Sequence, residues 1–279
     1  ISTDMREVYD QFDKVLHESK YKDDIIKEYG QTFLDEIEIN LKTFDPKIKD
    51  LLKQEIDLKN EYTKLTAGAK ISYEGKEYNL AGLGPFHSDV NRDIRKKSYE
   101  ARYGWFKDNE NELDDIYDKL VKLRHKIATT LGYDNFIELG YYRMGRSDYG
   151  PEEVANFRRQ IVDHVVPIVT KLHEQKKEIL GLDELYFYDG INFKDGDPKP
   201  KGTPDELVKS AQDMYHELSP ETGEFFDTMV NEELMDLVNR DGKRPGGFCT
   251  SFPKYDRPYI FSNFNGTDHD ITVLTHEAG

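Results

Sequence analysis

One cysteine, one tryptophan and no long apolar run set the first limits on this 279-residue chain. Cys249 has no second thiol to pair with, so no internal disulfide staples the fold. That suits a reducing compartment, and a cytoplasmic location is the expectation. Without a stretch of about 18 successive apolar residues, no transmembrane helix and no membrane partner are expected. Positive charge is also scarce: 39 Lys and Arg face 55 Asp and Glu, a net charge of −16. Such a balance repels phosphate backbones, so nucleic acid is not an expected partner. The densest basic runs, Arg92–Lys97 and Lys171–Lys177, are interleaved with acidic or apolar residues and read as helix faces. The opening Ile1–Met5 offers neither an initiator Met nor a basic-then-apolar leader. The expectation is a piece of a longer protein.

Aromatic residues, by contrast, are plentiful at 12%, which excludes a disordered chain. Charged residues make up 34%, as long amphipathic helices with solvated faces require. Met5, Val8, Phe12, Val15 and Leu16 recur at helical spacing and predict one helix from Asp4 to Tyr29, closed by Gly30. Phe33, Leu34, Ile37 and Leu41 repeat the pattern. Asp45-Pro46 then reads as an N-cap with Pro at the first helical position, opening a helix to about Leu65. Alternation around Glu74-Gly75 predicts a short β-hairpin near residues 70–80. Helices follow from Ser88 or Asp89 to Phe106, from Glu112 to Leu131 with Gly132 just beyond, and from Tyr133 to Met144. Pro151 opens another, which Pro167 should kink or split near His164. Leu185–Tyr188 has strand character. Residues 189–204, with three Pro and three Gly, form the one long loop. They divide a helical region, 1–188, from a second part, 189–279. Two further helices are expected at about Pro204–Leu218 and Glu221–Val238. The fold class is mainly α, with a small β element just before a terminal helix.

That terminal segment carries the chemistry. Gly246–Phe252 and Pro258–Phe264 read as two short strands joined around Pro253–Arg257. Ile271, Leu274 and Ala278 then mark a helix with Asp268 or Asp270 as its N-cap. His276-Glu277 lies within it. A His-Glu pair inside an apolar helix opens the His-Glu-x-x-His pattern, in which two imidazoles one turn apart face one zinc ion and the Glu is a general base. The dipeptide occurs at residues 17, 173 and 216 as well, but Tyr21, Lys177 and Pro220 stand where a second His would be needed. Only His276-Glu277 stays open, because Gly279 is the last residue of the sequence. His269, seven residues earlier, could share a face with His276, although its neighbours Thr267, Asp268 and Asp270 suit a capping or solvated role better.

The run GGFCTSFPKYDRPYIFSNFNGTDHDITVLTHEAG resembles the oligoendopeptidase F and Pz-peptidase branch of the thimet-type (M3) zinc oligopeptidases. The likeness extends upstream through GRSDYG and LSPETGEFFDTMVNEELMDLV to about EYTKLTAGAKISYEG. The resemblance implies a multi-helix zinc-oligopeptidase architecture, one Zn2+ in the intact parent, and cleavage of internal bonds in short peptides. His276 would be a metal ligand and Glu277 the catalytic base. Gly246, Gly247, Phe248 and Cys249 match the strand that lies beside the substrate backbone. The second His, the downstream Glu ligand and the carbonyl-polarising side chains are absent here, so the remaining C-terminal part of the parent chain is an expected partner and the 279-residue piece alone should be inactive. Two rivals stand beside this reading: a non-catalytic helical binding or scaffold module in which His276-Glu277 is accidental, and a related zinc carboxypeptidase or aminopeptidase.

Overall fold

A computed structural model describes residues 3–279. The architecture is mainly α, as expected, and its contacts divide the chain into two compact units, residues 1–62 with 111–170 and residues 63–110 with 171–279. Among the described residues, no helix is long and apolar enough to cross a membrane.

The first unit is helical throughout. It holds α1 (Thr3–His17), α2 (Lys22–Tyr29), α3 (Gln31–Thr43), most of α4 (Lys49–Ala67), nearly all of α7 (Glu110–Leu131), α8 (Phe136–Arg143), α9 (Pro151–Gln160) and the start of α10 (Val166–Leu180). The single helix expected over residues 4–29 is two: Ser19 Oγ accepts the Tyr21 N–H at 3.2 Å and removes it from the helical ladder. Asp45 caps the next element as expected, accepting from Lys47 N at 2.9 Å, with a 3₁₀ turn Pro46–Ile48 leading into α4. Ile48, Leu51, Leu123, Ile127, Ala128 and Leu139 form the apolar core. Buried Glu55 is held by Arg124 at 2.8 Å and Arg143 at 2.7 Å, so its carboxylate stays ionised with a lowered pKa, the two hydrogen-bonded guanidinium groups outweighing a larger opposing effect of burial. Pro167 has its expected effect. Lacking an N–H, it cannot continue the ladder, and a π-helical turn at Ile161–Val165 joins α9 to α10.

The second unit begins with the hairpin β1 (Ile71–Tyr73) and β2 (Lys76–Tyr78), turning through Glu74 and Gly75 at positive φ. A short α5 (Gly84–His87) and α6 (Arg92–Asp108) follow, and Asn91 rather than Ser88 or Asp89 caps α6. Leu185–Tyr188 is a turn, not a strand. Asp189 Oδ2 accepts the Tyr186 N–H at 2.9 Å, while Arg92 and Arg95 grip the same buried carboxylate at 2.8 and 3.0 Å. The Tyr186 carbonyl accepts from Asp189 N at 2.8 Å and the Tyr188 carbonyl from Arg95 at 2.9 Å, so the segment folds back on itself instead of running extended. After α11 (Pro204–Leu218), α12 (Pro220–Asn231) stops seven residues sooner than expected. Glu233 adopts φ +54 and ends the helix, and the chain runs on as β3 (Met235–Val238).

That missed strand completes a three-stranded sheet, order β3-β5-β4, with β4 spanning Phe248–Phe252 and β5 Arg257–Phe264. β5 is central, parallel to β3 and antiparallel to β4, and Phe248 stands opposite Phe261. α13 (His269–Ala278) lies against this sheet, and Leu274 joins Phe226, Met229, Ile260 and Phe264 in the core. Ile271, expected on the inner face, is 45% exposed instead. The turn from β5 into α13 is made by Asp270. Its buried carboxylate accepts from Asn265 N at 3.0 Å and Gly266 N at 2.7 Å, so it holds the preceding loop and does not cap the helix as expected. Burial raises its pKa. Asp268 occupies the N-cap position without a side-chain hydrogen bond.

Two measurements test this packing. Asp270→Ala removes a buried carboxylate and strips the partner from two N–H groups at a partly exposed turn, and should destabilise the chain by on the order of 1–3 kcal/mol in urea unfolding, with Asp270→Asn less damaging. A loss below about 0.5 kcal/mol would show that the turn does not depend on this carboxylate. The other concerns His87, whose ring stacks on Tyr99 at 4.0 Å with Nε2 buried and unpaired. Burial, aided by Arg102, lowers its pKa to about 4. The unfolded chain therefore takes up this proton first, and stability is lost as pH falls from about 6.5 to about 4. His87→Phe should flatten that part of the stability profile relative to the parent; parallel curves would sink the assignment.

Candidate functional site

β4 lies at the edge of its sheet, paired to β5 on one side only, and all five of its residues are exposed. Gly246 and Gly247, just before it, are exposed too. Gly246 has φ +98, a conformation that a side chain would strain. Gly247 is favoured for a different reason. A Cβ there would meet Val273 Cγ1 at 3.1 Å and the Phe261 carbonyl at 3.3 Å, so the strand approaches α13 as closely as a bare backbone allows. The same atom would lie 3.9 Å from Glu277 Oε1.

Two of the residue sets singled out from the sequence thus come together: the Gly246–Cys249 strand and the carboxylate of Glu277. Leu274 anchors α13 in the core, and Val273 and Glu277, one turn apart, face the strand. Glu277 is half-buried, and its carboxylate accepts no hydrogen bond from any described residue. His276 is exposed, and its imidazole likewise has no partner among the described residues. An imidazole with no other bond is available as a ligand, which fits a metal at this end of the helix. One ligand does not make a site, however, and among the described residues no three His, Cys, Asp or Glu side chains group around a common point. His269 is exposed at the first turn of α13. Cys249 is a free, exposed thiol on the open strand.

Three further residues shape this corner without having been singled out as site residues from the sequence. Lys243 is buried and donates to the Asp236 and Val238 carbonyls at 3.0 and 2.9 Å and to the Asp236 carboxylate at 2.9 Å. Desolvation lowers its pKa. Its ammonium also lies 4.5 Å from the centroid of Phe261, whose other neighbour is the Phe248 ring, stacked at 5.0 Å. Asn263 donates to the carbonyls of Arg244 and Gly246 at 2.9 and 2.8 Å. Asn265 reaches the Ala81 carbonyl at 2.8 Å. Asn263 falls within the run that carries the family resemblance, and Asn265 within the break before the helix, but neither shows from sequence which backbone it holds; nothing marks Lys243.

The model of peptidase family M3 matches residues 86–279 of the chain. Pz peptidase A, solved with an inhibitor, superposes with a TM-score of 0.96 at 46% identity over 99% of this chain and 49% of its own. The chromosomal oligoendopeptidase F of Lactococcus lactis subsp. cremoris is 26% identical over 225 residues, 80% of this chain and 35% of that protein. Oligopeptidase PepF of Bacillus subtilis strain 168 is 26% identical over 70% of this chain and 28% of its own length. The chain therefore spans about a third of the curated relatives it matches and about half of the solved one. Residues 86–279 include both the Gly246–Cys249 edge and the His276-Glu277 helix, and on that match the chain belongs to peptidase family M3.

Proposed function

We propose that the intact protein is a zinc metallo-oligopeptidase that hydrolyses internal bonds of short peptides, with this chain supplying the substrate edge and the first part of the metal-binding helix. The observation that carries the proposal is the approach of Glu277 to the backbone of Gly247 at an open strand edge. An extended peptide can add to such an edge through main-chain hydrogen bonds, and residues without side chains let it come near. A peptide seated there passes within reach of a carboxylate that no neighbour neutralises.

His276 would hold the zinc, together with donors outside this sequence. Bound there, zinc would polarise the scissile carbonyl and the attacking water. Glu277 accepts the proton that the water gives up and delivers it to the nitrogen of the leaving amine, so the carboxylate is regenerated at the end of the turnover. Family membership and this juxtaposition support a peptidase over a helical scaffold in which His276-Glu277 is accidental. The acidic surface favours cationic peptides, and the unpaired Cys249 fits a cytoplasmic setting.

In the full-length protein, Glu277→Gln keeps the size of the side chain but removes its basicity. Zinc content and peptide binding should remain near the parent while turnover falls by roughly 10²–10⁴-fold. His276→Ala should lose zinc and activity together. A quenched fluorescent peptide, with zinc measured on the same samples, separates these outcomes; a Glu277→Gln enzyme with most of its turnover would overturn the mechanism. The 279-residue chain alone should retain no stoichiometric zinc after dialysis against a weak chelator, having one predicted ligand where about three are needed. One retained equivalent would point to His269 as a second ligand.

A further inference from the structure

Backbone pairing between β4 and β5 stops at Phe248 opposite Phe261. Continued by two residues, the register would put Gly246 opposite Asn263. Gly246 instead turns away at φ +98, and the side chain of Asn263 takes over the role of the backbone. Its Nδ2 donates to Gly246 O at 2.8 Å and to Arg244 O at 2.9 Å. Only the amide nitrogen can face two carbonyl oxygens, so the orientation of the group is fixed by chemistry. The opposite atom, Oδ1, is then buried without a partner. The amide spends both of its donors on this one turn. What it achieves is the placement of one short piece of backbone.

That piece is the one the proposed reaction needs. Gly247 follows directly, pressed against Val273 and beside Glu277. We propose that Asn263 is a positioning residue for peptide binding: it pins the Arg244–Gly246 turn so that an incoming strand is presented to Glu277 in register. It touches neither the peptide nor the metal. This inference rests on the peptidase reading given above. Loss of the two hydrogen bonds frees the turn ahead of the open edge, so productive binding is impaired before the chemical step is.

The test uses the full-length protein, a quenched fluorescent peptide and the variants Asn263→Ala, Asn263→Ser and Asn263→Asp. Asn263→Ala should raise KM by about tenfold with kcat within about threefold of the parent, equal zinc content and a similar Tm. Asn263→Ser keeps one donor and should fall between parent and Ala. Asn263→Asp presents an ionised carboxylate to two carbonyl oxygens and should be the worst near neutrality. Its KM relative to the parent should improve as pH falls, because the protonated acid can donate once. A KM within twofold of the parent in both Ala and Ser variants overturns the proposal. So does a parallel loss of kcat, zinc and Tm, which would assign Asn263 a structural role only. A parent protein that cleaves no peptide at all would instead defeat the peptidase reading, and is distinguishable because no variant need be made to see it.

Discussion

Everything at the corner proposed as the site depends on how near β4 comes to α13. The limiting atoms are Val273 Cγ1 and the Phe261 carbonyl, 3.1 and 3.3 Å from where a Cβ on Gly247 would sit. A side chain at position 247 would force those neighbours to give by a few tenths of an ångström, and one of them is a backbone carbonyl. Glycine is therefore favoured at position 247 for space and at position 246 for backbone conformation, two separate demands met by adjacent residues. The closeness has a functional counterpart. A carboxylate one helical turn beyond Val273 can lie beside strand backbone only if nothing stands between them.

The approach is held from both sides by polar groups, not by apolar contact alone. Asp270 ties the start of α13 to the loop leaving β5, through the N–H groups of Asn265 and Gly266. Asn265 ties that loop to Ala81, and Asn79 is bonded to Asn239 and Arg240 at 2.9 and 3.0 Å. Lys243 closes the loop between β3 and β4 upon the carbonyls of Asp236 and Val238. Buried polar groups cost stability unless satisfied, but when satisfied their geometry is narrow. Apolar packing sets which faces meet. Directional bonds set where the turn at Gly246 ends up.

The long helices could be read from the chain because an apolar stripe at 3.6-residue spacing is a local property. The break caused by Pro167 and the cap at Asp45 are likewise consequences of single residues acting on their own backbone. β3 was not legible in this way. Leu234, Met235, Leu237 and Val238 suit a helix as well as a strand, and only the exposed backbone of β5 decides between them. Leu185–Tyr188 failed in the opposite sense: aromatic residues suggested a strand, but Asp189 with two arginines folds the segment onto itself. At the site, His276 and Glu277 stood out through a spacing pattern, and the glycines through resemblance. The approach of Glu277 to Gly247 across the helix–strand contact required the fold. Asn263 and Lys243 act by bonds to distant carbonyls, information that no local window of sequence contains.

In the peptidase proposed here, an open edge strand beside the catalytic carboxylate poses a conflict. The edge must keep unpaired N–H and C=O groups to receive an extended peptide, yet unpaired backbone is free to shift. Continuing the antiparallel ladder past Phe248 would hold the strand but would carry Gly246 flat against β5 and away from its turn. Substituting one side-chain amide for the next rung resolves this. Asn263 fixes Arg244 and Gly246 from the β5 side and leaves the outer side of β4 unpaired. The buried, unpartnered Oδ1 is the local cost of that substitution. A backbone rung would satisfy both of its groups, but it could not make the turn that delivers Gly247 to the helix.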